Sequence, residues 1–200
     1  MVPSSHLYFS KATDLNVLCL KPMDQFMRIL PNYTYDDYVH WKGRWEVMDG
    51  IAFSNKPTPR HQLVAGGLSS TFFQEKKATN ADYDIYLPID LRINNNTIVN
   101  PDLLIVREPI SKKYLDFPPI FVAEVVSKST RLKDYYTKKW LYKEFGIKYY
   151  LIADLEDHSL TLWQLNSKKE YQETPIEAGL VFSNNYHVFP EWSTVYEDLI

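Results

Sequence analysis

Two acidic residues lie within strand-like apolar segments of this 200-residue chain. Asp102 stands in VNPDLLIV and Glu124 stands in IFVAEVV. Both segments are rich enough in Val, Ile, Leu and Phe to lie inside a sheet, where an unpaired carboxylate is strongly unfavourable. A divalent cation such as Mg²⁺ would compensate both charges, because carboxylates, a backbone carbonyl and waters form its usual ligand shell. The pair therefore predicts the metal-dependent chemistry of a nuclease.

A helix predicted from about Thr130 to Phe145 places one lysine beside these carboxylates. Gly146 supplies the left-handed residue that commonly ends a helix. Positions three, four and seven apart form an inward stripe of Asp134, Tyr135, Lys138, Leu141, Tyr142 and Phe145. Lys138 lies in the middle of that stripe, whereas Lys139 points elsewhere. An inward lysine could orient or help deprotonate an attacking water and oppose the charge of a phosphorane-like transition state.

Each of these residues also has a purely structural alternative. Asp102 could cap the end of its strand, since Asp commonly bonds nearby backbone in turns. Alternation places Glu124 on the same face as Val122 and Val126, so its carboxylate is buried and needs a partner. A salt bridge to Lys138 would satisfy Glu124 without metal. Lys138 could instead run its methylenes along the core with its ammonium group in water.

The net charge of −3 argues against a protein that coats nucleic acid indiscriminately. Basic residues are nevertheless concentrated between positions 128 and 148, where seven of them stand against two acidic residues. That segment has a balance of +5, so the remainder of the chain carries −8. Lys128 and Arg131, close after Glu124, are candidate contacts for substrate phosphates. The alternative is an ordinary solvated helix face.

Other chemistries lack the residues that they require. The six glycines form no P-loop, no GxGxxG and no GxSxG motif. The five histidines are dispersed, and the single Cys19 supports neither an internal disulfide nor a structural zinc site. No cationic signal-peptide start and no apolar run of about 18 residues is present. We therefore expect a cytoplasmic protein without a membrane segment.

The length favours a single domain. Residues 1–30 have no clear period and are expected to form a weakly structured or loosely packed extension, followed by a domain over residues 31–200. We predict a short helix from Thr34 to about Trp41, a hairpin in RWEVMDGIAFS and an apolar helix from Pro59 to Lys77. Strands are predicted in DIYLPIDLRI, TIVNPDLLIV, KYYLIAD, SLTLWQL, EYQET and LVFSN, and a helical tail in EWSTVYEDLI.

The order of these motifs resembles the Uma2 family, also called DUF820. WEVMDGIAF, RHQLV, NPDLLIV, VAEVVSKST and GIKYYLIAD follow one another in this order, and the resemblance covers roughly residues 32–192. The resemblance implies a PD-(D/E)XK restriction-endonuclease-like fold of the α/β class, with a central mixed β-sheet flanked by α-helices. It also implies a nuclease. Together with the carboxylate pair, it leads us to expect a Mg²⁺-dependent or Mn²⁺-dependent endonuclease that cuts phosphodiester bonds, with DNA as the partner and a homodimer as the assembly.

The resemblance assigns roles to particular residues. Asp102 matches the first motif and Glu124 opens the second, so these two carboxylates and the Val125 carbonyl would hold the metal. Val126 stands where the second motif usually carries its lysine. The lysine that this family carries on the following helix corresponds to Lys138.

Four further residues complete the predicted site. Glu46 matches an additional acidic position, with a plain hairpin role as its alternative. Lys128 departs from the SPST that the family usually carries and could contact phosphate. Arg60 and His61 begin a predicted helix and could also contact phosphate, although His61 could equally cap that helix or belong to the core. The alternative function is a catalytically inactive nuclease fold that binds nucleic acid or a protein partner.

Overall fold

The computed structural model describes residues 30–54, 56–183 and 186–199. The predicted extension over residues 1–30 therefore lies outside the described residues, except for Leu30. Within these ranges, no helix combines the length and the apolar character needed to cross a membrane.

Twelve strands are present in the described residues. In chain order they are β1 (Trp45–Met48), β2 (Ile51–Ser54), β3 (Asp84–Tyr86), β4 (Leu91–Asn94), β5 (Thr97–Val99), β6 (Leu103–Val106), β7 (Phe121–Val126), β8 (Tyr149–Asp154), β9 (Ser159–Leu165), β10 (Tyr171–Thr174), β11 (Leu180–Ser183) and β12 (Tyr186–Val188). A six-stranded sheet has the order β10-β9-β8-β7-β6-β3, and a four-stranded sheet has the order β2-β1-β5-β4. In the larger sheet β7 and β8 are parallel, and the other pairs are antiparallel. This is the predicted central mixed sheet.

Helices cover the sheets. They are α1 (Tyr35–Tyr38), α2 (Pro59–Thr79), a π-helical segment (Lys133–Lys138) continuous with α3 (Lys139–Phe145), and two 3-10 helices (Ile176–Ala178 and Trp192–Leu199). The Thr58 hydroxyl accepts a hydrogen bond from the His61 N–H and caps α2, which begins with a proline whose missing N–H costs nothing there. Gly146 ends α3 in the left-handed conformation, as predicted.

The six-stranded sheet separates two hydrophobic cores. On one face, Val64, Leu68 and Phe72 of α2 pack against the sheet, with the Phe72 and Phe121 ring centroids 4.8 Å apart. On the opposite face, Tyr142 of α3 and the four-stranded sheet cover the second core. Val122 and Val126 belong to that second core, so Glu124 between them projects toward the helix, as strand alternation predicted.

Two of the predicted strands are wrong as single elements. DIYLPIDLRI forms β3 and β4, and TIVNPDLLIV forms β5 and β6, with the two halves of each segment in different sheets. Pro88 and Pro101 lie in the breaks, where proline removes the N–H that a continuous ladder needs. The second break places Asp102 at the crossing between the sheets, directly before β6.

Candidate active site

A cavity of about 290 Å³ opens between the start of α2, the end of β7 and the π-helical segment. Its walls carry Ser54, Lys56, Pro57, Thr58, His61, Asp102, Glu124, Val125, Ser127, Ser129, Thr130, Lys133, Asp134 and Lys138. Five of the predicted site residues are therefore brought together here: His61, Asp102, Glu124, Val125 and Lys138.

Asp102 and Glu124 come together through strand pairing. Leu103 pairs with Ala123 in the β6–β7 ladder, and the same register continued by one residue sets Asp102 opposite Glu124. Asp102 is buried, and its Oδ2 accepts hydrogen bonds from the Val125 N–H and from His61 Nε2, both at 2.9 Å. The backbone bond agrees with the capping alternative, but it occupies only one of the two carboxylate oxygens.

Lys138 lies between two buried carboxylates. Its Nζ is 2.6 Å from Glu46 Oε1 and 2.8 Å from Glu124 Oε1. The salt bridge between Glu124 and Lys138, left open by the sequence, is therefore present. The alternative with the ammonium group in water is wrong, because the Lys138 side chain is only 1% exposed.

Glu46 belongs to the same cluster, so the alternative of a plain hairpin residue is wrong. It is completely buried, and its Oε2 accepts a hydrogen bond of 2.5 Å from Lys133. The Asn100 N–H donates to Glu46 Oε1 at 3.0 Å. Since both oxygens are occupied, Glu46 anchors the lysines. On the other side of Lys138, the Tyr142 hydroxyl donates to Glu124 Oε1 at 2.5 Å.

The π-helical segment explains why Lys133 reaches this cluster. In an α-helix, residues five apart point about 140° away from each other. Hydrogen bonds from i to i+5 widen the turn, so Lys133 and Lys138 lie on one side of the helix. The α-helical period used on the sequence selects Lys138 and omits Lys133 for this reason. A π-bulge leaves no simple signal in residue type or spacing that would have identified Lys133.

One lysine shared by two carboxylates drives their proton affinities apart. Burial raises the pKa of Glu46, but the Lys138 and Lys133 ammonium groups outweigh burial and lower that pKa below its ordinary value. Burial raises the pKa of Glu124 above its ordinary value against the pull of Lys138, and the neighbouring Asp102 carboxylate raises it further. Carboxylates whose pKa values are shifted in this way are common in catalytic sites.

Three buried side-chain atoms in the described part of the chain have no hydrogen-bond partner. They are His61 Nδ1, Asp102 Oδ1 and Asp134 Oδ1. All three residues line this one cavity. Buried polar atoms are almost always paired, so each unpaired atom points to a group that enters from the cavity. Burial also raises the pKa of Asp134, whose Oδ1 lies 3.7 Å from Lys138 Nζ, beyond hydrogen-bond distance.

Comparisons with known proteins identify the family and the fold of this chain. A family model, Uma2, described as "Putative restriction endonuclease", matches residues 34–197. The chain belongs to the Uma2 family. The crystal structure of "a putative nuclease belonging to DUF820 from Anabaena variabilis ATCC 29413" is similar, with a TM-score of 0.66 over 84% of this chain and 99% of that chain. At 11% identity this likeness shows the fold, and it confirms the predicted α/β class. No curated protein matches the chain.

The residue set of this Uma2 site suits a hard divalent cation. Within the described ranges, no group of three or more Asp, Glu, His or Cys side chains is arranged to hold an ion. Mg²⁺, however, usually takes one or two protein carboxylates and completes its shell with waters and substrate phosphates. The cluster has four carboxyl groups and two ammonium groups: Glu46, Asp102, Glu124, Asp134, Lys133 and Lys138. With all six groups ionised, the cluster would carry two excess negative charges, which a divalent cation would offset; burial instead raises the pKa values of Glu124 and Asp134.

The predicted phosphate contacts fall into two groups in this Uma2 domain. Arg131 Nη2 lies 2.7 Å from Asp154 and 2.8 Å from Asp157, so its charge is already paired. Arg60 donates to the Leu155 carbonyl at 3.2 Å and does not line the cavity.

Lys128 is exposed between two serines that line the cavity, Ser127 and Ser129. Lys56, which the sequence did not single out, is exposed on the cavity wall. Neither lysine has an acidic partner within the described residues. Lys56, on the cavity wall, and Lys128, next in sequence to two lining serines, are therefore the basic residues that we expect to be available to a ligand of the cavity.

Proposed function

We propose that this Uma2 protein is a Mg²⁺-dependent or Mn²⁺-dependent endonuclease that hydrolyses phosphodiester bonds in DNA. The observation that carries the proposal is the convergence of the unpaired atoms His61 Nδ1, Asp102 Oδ1 and Asp134 Oδ1 on one cavity. They lie beside a buried lysine held by two carboxylates. Family membership and fold both support a nuclease.

In this proposal Asp102, Glu124 and the Val125 carbonyl hold the ion. When bound, it would lower the pKa of a coordinated water and offset charge on the phosphate oxygens. Asp102 is ready for this role, because His61 and the Val125 N–H fix its Oδ2 and leave Oδ1 unpaired.

Because Glu46 also binds Lys138, Glu124 can exchange its contact with Lys138 for a contact with a metal ion. Lys138 binds both carboxylates, so Glu124 can turn toward an ion while Glu46 still holds the lysine in place. Lys138 then remains charged at the side of the reacting phosphate, where it opposes the negative charge that develops. Glu46 acts through Lys138 and is therefore a positioning residue.

Hydrogen-bond donors around the cavity suit a phosphate group. The hydroxyl-bearing residues Ser127, Ser129 and Thr130 follow β7 directly, and Lys56 and Lys133 stand on other walls. Hydroxyl and ammonium groups are the usual partners of phosphate oxygens in nucleic-acid complexes. They would position the backbone without reading its sequence.

The test is cleavage of a supercoiled plasmid by purified protein. We expect nicked and linear products with Mg²⁺ or Mn²⁺ and none with EDTA. Asp102→Asn should lower the rate by about 10² or more, the scale for losing one electrostatic group of a catalytic site. Asp82→Asn, at an exposed position away from the cavity, serves as the matched control. Equal cleavage by wild type and Asp102→Asn would reject the site, and cleavage of RNA alone would reject the DNA substrate.

A catalytically inactive module that binds nucleic acid is the second candidate. The specific observation in its favour is the 2.8 Å contact between Lys138 and Glu124, which already satisfies the carboxylate without metal. This alternative predicts DNA binding that is unaffected by Mg²⁺ and no cleavage under any metal. Binding measured in parallel with the plasmid assay separates the two functions.

A further inference from the structure

A second concavity, of about 370 Å³, lies beside the β1–β2 hairpin. Tyr33, Trp41, Lys42, Trp45 and Ala52 line it, and we call it the Trp41 pocket. Its volume falls within the range of small-molecule sites, about 300 to 1,000 Å³. The proposed hydrolysis uses none of these residues.

Aromatic rings form the walls of the Trp41 pocket at steep angles to one another. The Trp41 ring lies 4.8 Å from Tyr33 at 87° and 5.8 Å from Trp45 at 72°. The Trp45 indole N–H donates to the Lys42 carbonyl at 2.9 Å, which fixes the orientation of that ring. The Tyr38 ring also packs against Trp41, at 5.9 Å. A further flat ring would therefore stack on the ring surfaces that line the concavity, in the offset arrangement that aromatic groups accept.

Two neighbouring aromatic residues, Tyr35 and Tyr38, contact the four-stranded sheet and do not line the pocket. The Tyr38 hydroxyl donates to Asp90 at 2.7 Å, and the Arg92 guanidinium lies 4.4 Å from the centre of the Tyr35 ring. These contacts anchor α1 to the four-stranded sheet. Tyr33 is 36% exposed, and its ring contacts the ring of Trp41. Of the aromatic residues around α1, Tyr33, Trp41 and Trp45 are therefore the ones that line the Trp41 pocket.

The pocket is linked to the candidate active site through the hairpin. The cross-strand partner of Trp45 is Ser54, which lines the cavity of the candidate active site, as does Lys56 two residues later. The residue after Trp45 is Glu46, which holds Lys138 at 2.6 Å. A nucleic-acid strand leaving the cavity over the edge of this hairpin would meet the aromatic rings.

Charge selects among ligands that bind aromatic rings. Lys42 is exposed on the pocket wall and has no acidic partner among the described residues. Its ammonium group would repel a quaternary ammonium ion, which is the other common guest of aromatic walls. The same ammonium group would attract a phosphodiester backbone.

We propose that the Trp41 pocket binds an unpaired nucleobase of the strand that is cut in the adjacent cavity. Stacking on aromatic side chains is available to every base and needs a base that is free of its duplex. The inference rests on the proposed function for its nucleic-acid partner and narrows the substrate to one with unpaired nucleotides beside the cleaved bond.

The test measures binding of fluorescein-labelled oligonucleotides by anisotropy in EDTA, so that cleavage plays no part. The probes are single-stranded dT12, single-stranded rU12 and a twelve-base-pair duplex of mixed sequence. Trp41→Leu should weaken single-strand binding about tenfold, the scale of losing one base–aromatic stack, and Trp41→Phe should retain most of it. Duplex binding should be unchanged. Preference for dT12 or rU12 identifies the strand as DNA or RNA.

Matched variants keep the inference falsifiable. Trp140→Leu removes a tryptophan of α3 that is 57% exposed, and it should leave binding unchanged. Circular dichroism shows whether Trp41→Leu is folded. If it is not, Tyr33→Leu takes its place and should weaken single-strand binding in the same way. Unchanged binding of dT12 and rU12 by folded Trp41→Leu or Tyr33→Leu would overturn the inference. An equal loss of oligonucleotide affinity in Trp140→Leu would also overturn it. Binding of choline, with no binding of either oligonucleotide, would overturn it as well. Plasmid cleavage is scored separately, so either proposal can fail alone.

Discussion

Lys133 and Lys138 donate to the two carboxylate oxygens of Glu46, at 2.5 and 2.6 Å, although they lie five positions apart on one helix. The π-helical segment makes this convergence possible. Two lysines neutralise Glu46, so Lys138 keeps an acidic partner without Glu124. We therefore expect Glu124, and not Glu46, to leave Lys138 when it binds an ion. π-Bulges occur frequently at functional sites, and here the bulge completes the lysine cluster.

Replacing Lys138 should weaken the fold as well as the proposed activity. Lys138→Met leaves two buried carboxylates without their shared cation, which typically costs about 3 to 5 kcal/mol. The free energy of unfolding from urea titration measures this loss. Lys139→Met, one position along the same helix, is the control and should cost about 1 kcal/mol or less, since Lys139 is partly exposed beside Trp163.

A second substitution should recover part of that stability. In Lys138→Met/Glu124→Gln, one of the two stranded carboxylates is removed, so the double variant should be more stable than Lys138→Met alone. The single variant Glu124→Gln completes the cycle. If the losses of the two single variants simply added in the double variant, the two side chains would not be coupled, in conflict with their 2.8 Å contact.

Metal binding should stabilise the protein through Asp102. Mg²⁺ or Mn²⁺ at a hundred times its dissociation constant adds about 2.7 kcal/mol to the free energy of unfolding and raises the melting temperature. Ca²⁺ should also stabilise, without supporting cleavage, because it accepts looser geometry and activates water less well. Scanning calorimetry with and without metal measures the shift.

The metal effect should disappear in Asp102→Asn and persist in Asp82→Asn. Asp102→Asn also relieves repulsion between neighbouring carboxylates, so the metal-free variant should be at least as stable as metal-free wild type. A shift of the same size in wild type and Asp102→Asn would place the ion elsewhere.

Acid should selectively remove the contribution of Glu46. The two lysines outweigh burial and lower its pKa from 4.5 to about 2, so the folded state binds fewer protons than the unfolded state between those values. Stability from this group is therefore complete above pH 4.5 and is lost as the pH falls toward 2. Urea titrations of wild type and Glu46→Gln should differ most at neutral pH and converge near pH 2.

The ionisation of Glu124 affects stability in the opposite direction, since the folded state raises its pKa. Glu124 is present in both proteins of this comparison. Glu46 also raises the pKa of Glu124, and both carboxylates share Lys138, so Glu46→Gln changes the titration of Glu124 as well. That change falls at higher pH, because the pKa of Glu124 is raised, and the loss of stability between pH 4.5 and about 2 reports on Glu46. A difference that stayed constant from neutral pH to pH 2 would show that Glu46 does not carry a depressed pKa.

DNA binding should depend on the free lysines at the cavity rim. Each phosphate contact that is lost reduces the slope of log K against log salt by about 0.9. Lys56→Gln and Lys128→Gln should each show this reduction for all DNA sequences alike, since phosphate contacts carry little base information. Arg131→Gln should leave the slope unchanged, because Asp154 and Asp157 already pair with Arg131. Fluorescence titrations between 50 and 200 mM salt supply the slopes, and a flat response in wild type would contradict phosphate contact.

Local patterns were sufficient for the residues that project inward from regular elements. Alternation along one strand placed Glu124 on the face of Val122 and Val126, and the helical period selected Lys138 over Lys139. Both inferences hold because side-chain direction repeats every two residues in a strand, and because Lys138 directly precedes α3, where the buried Leu141 and Tyr142 follow the 3.6-residue period. The order of motifs was likewise sufficient to predict the Uma2 family and its α/β fold.

Tertiary packing decided which partners these residues take. Glu46 and Lys133 lie 87 positions apart, and no local pattern relates them; their contact depends on the four-stranded sheet packing over the π-helical segment. The contact of His61 with Asp102 joins the start of α2 to the start of β6 in the same way. Whether the buried carboxylates meet a lysine, a histidine or a free space for an ion is set by the relative placement of whole elements. That placement depends on how side chains from distant parts of the chain pack together in the two hydrophobic cores, which is decided only in the folded chain.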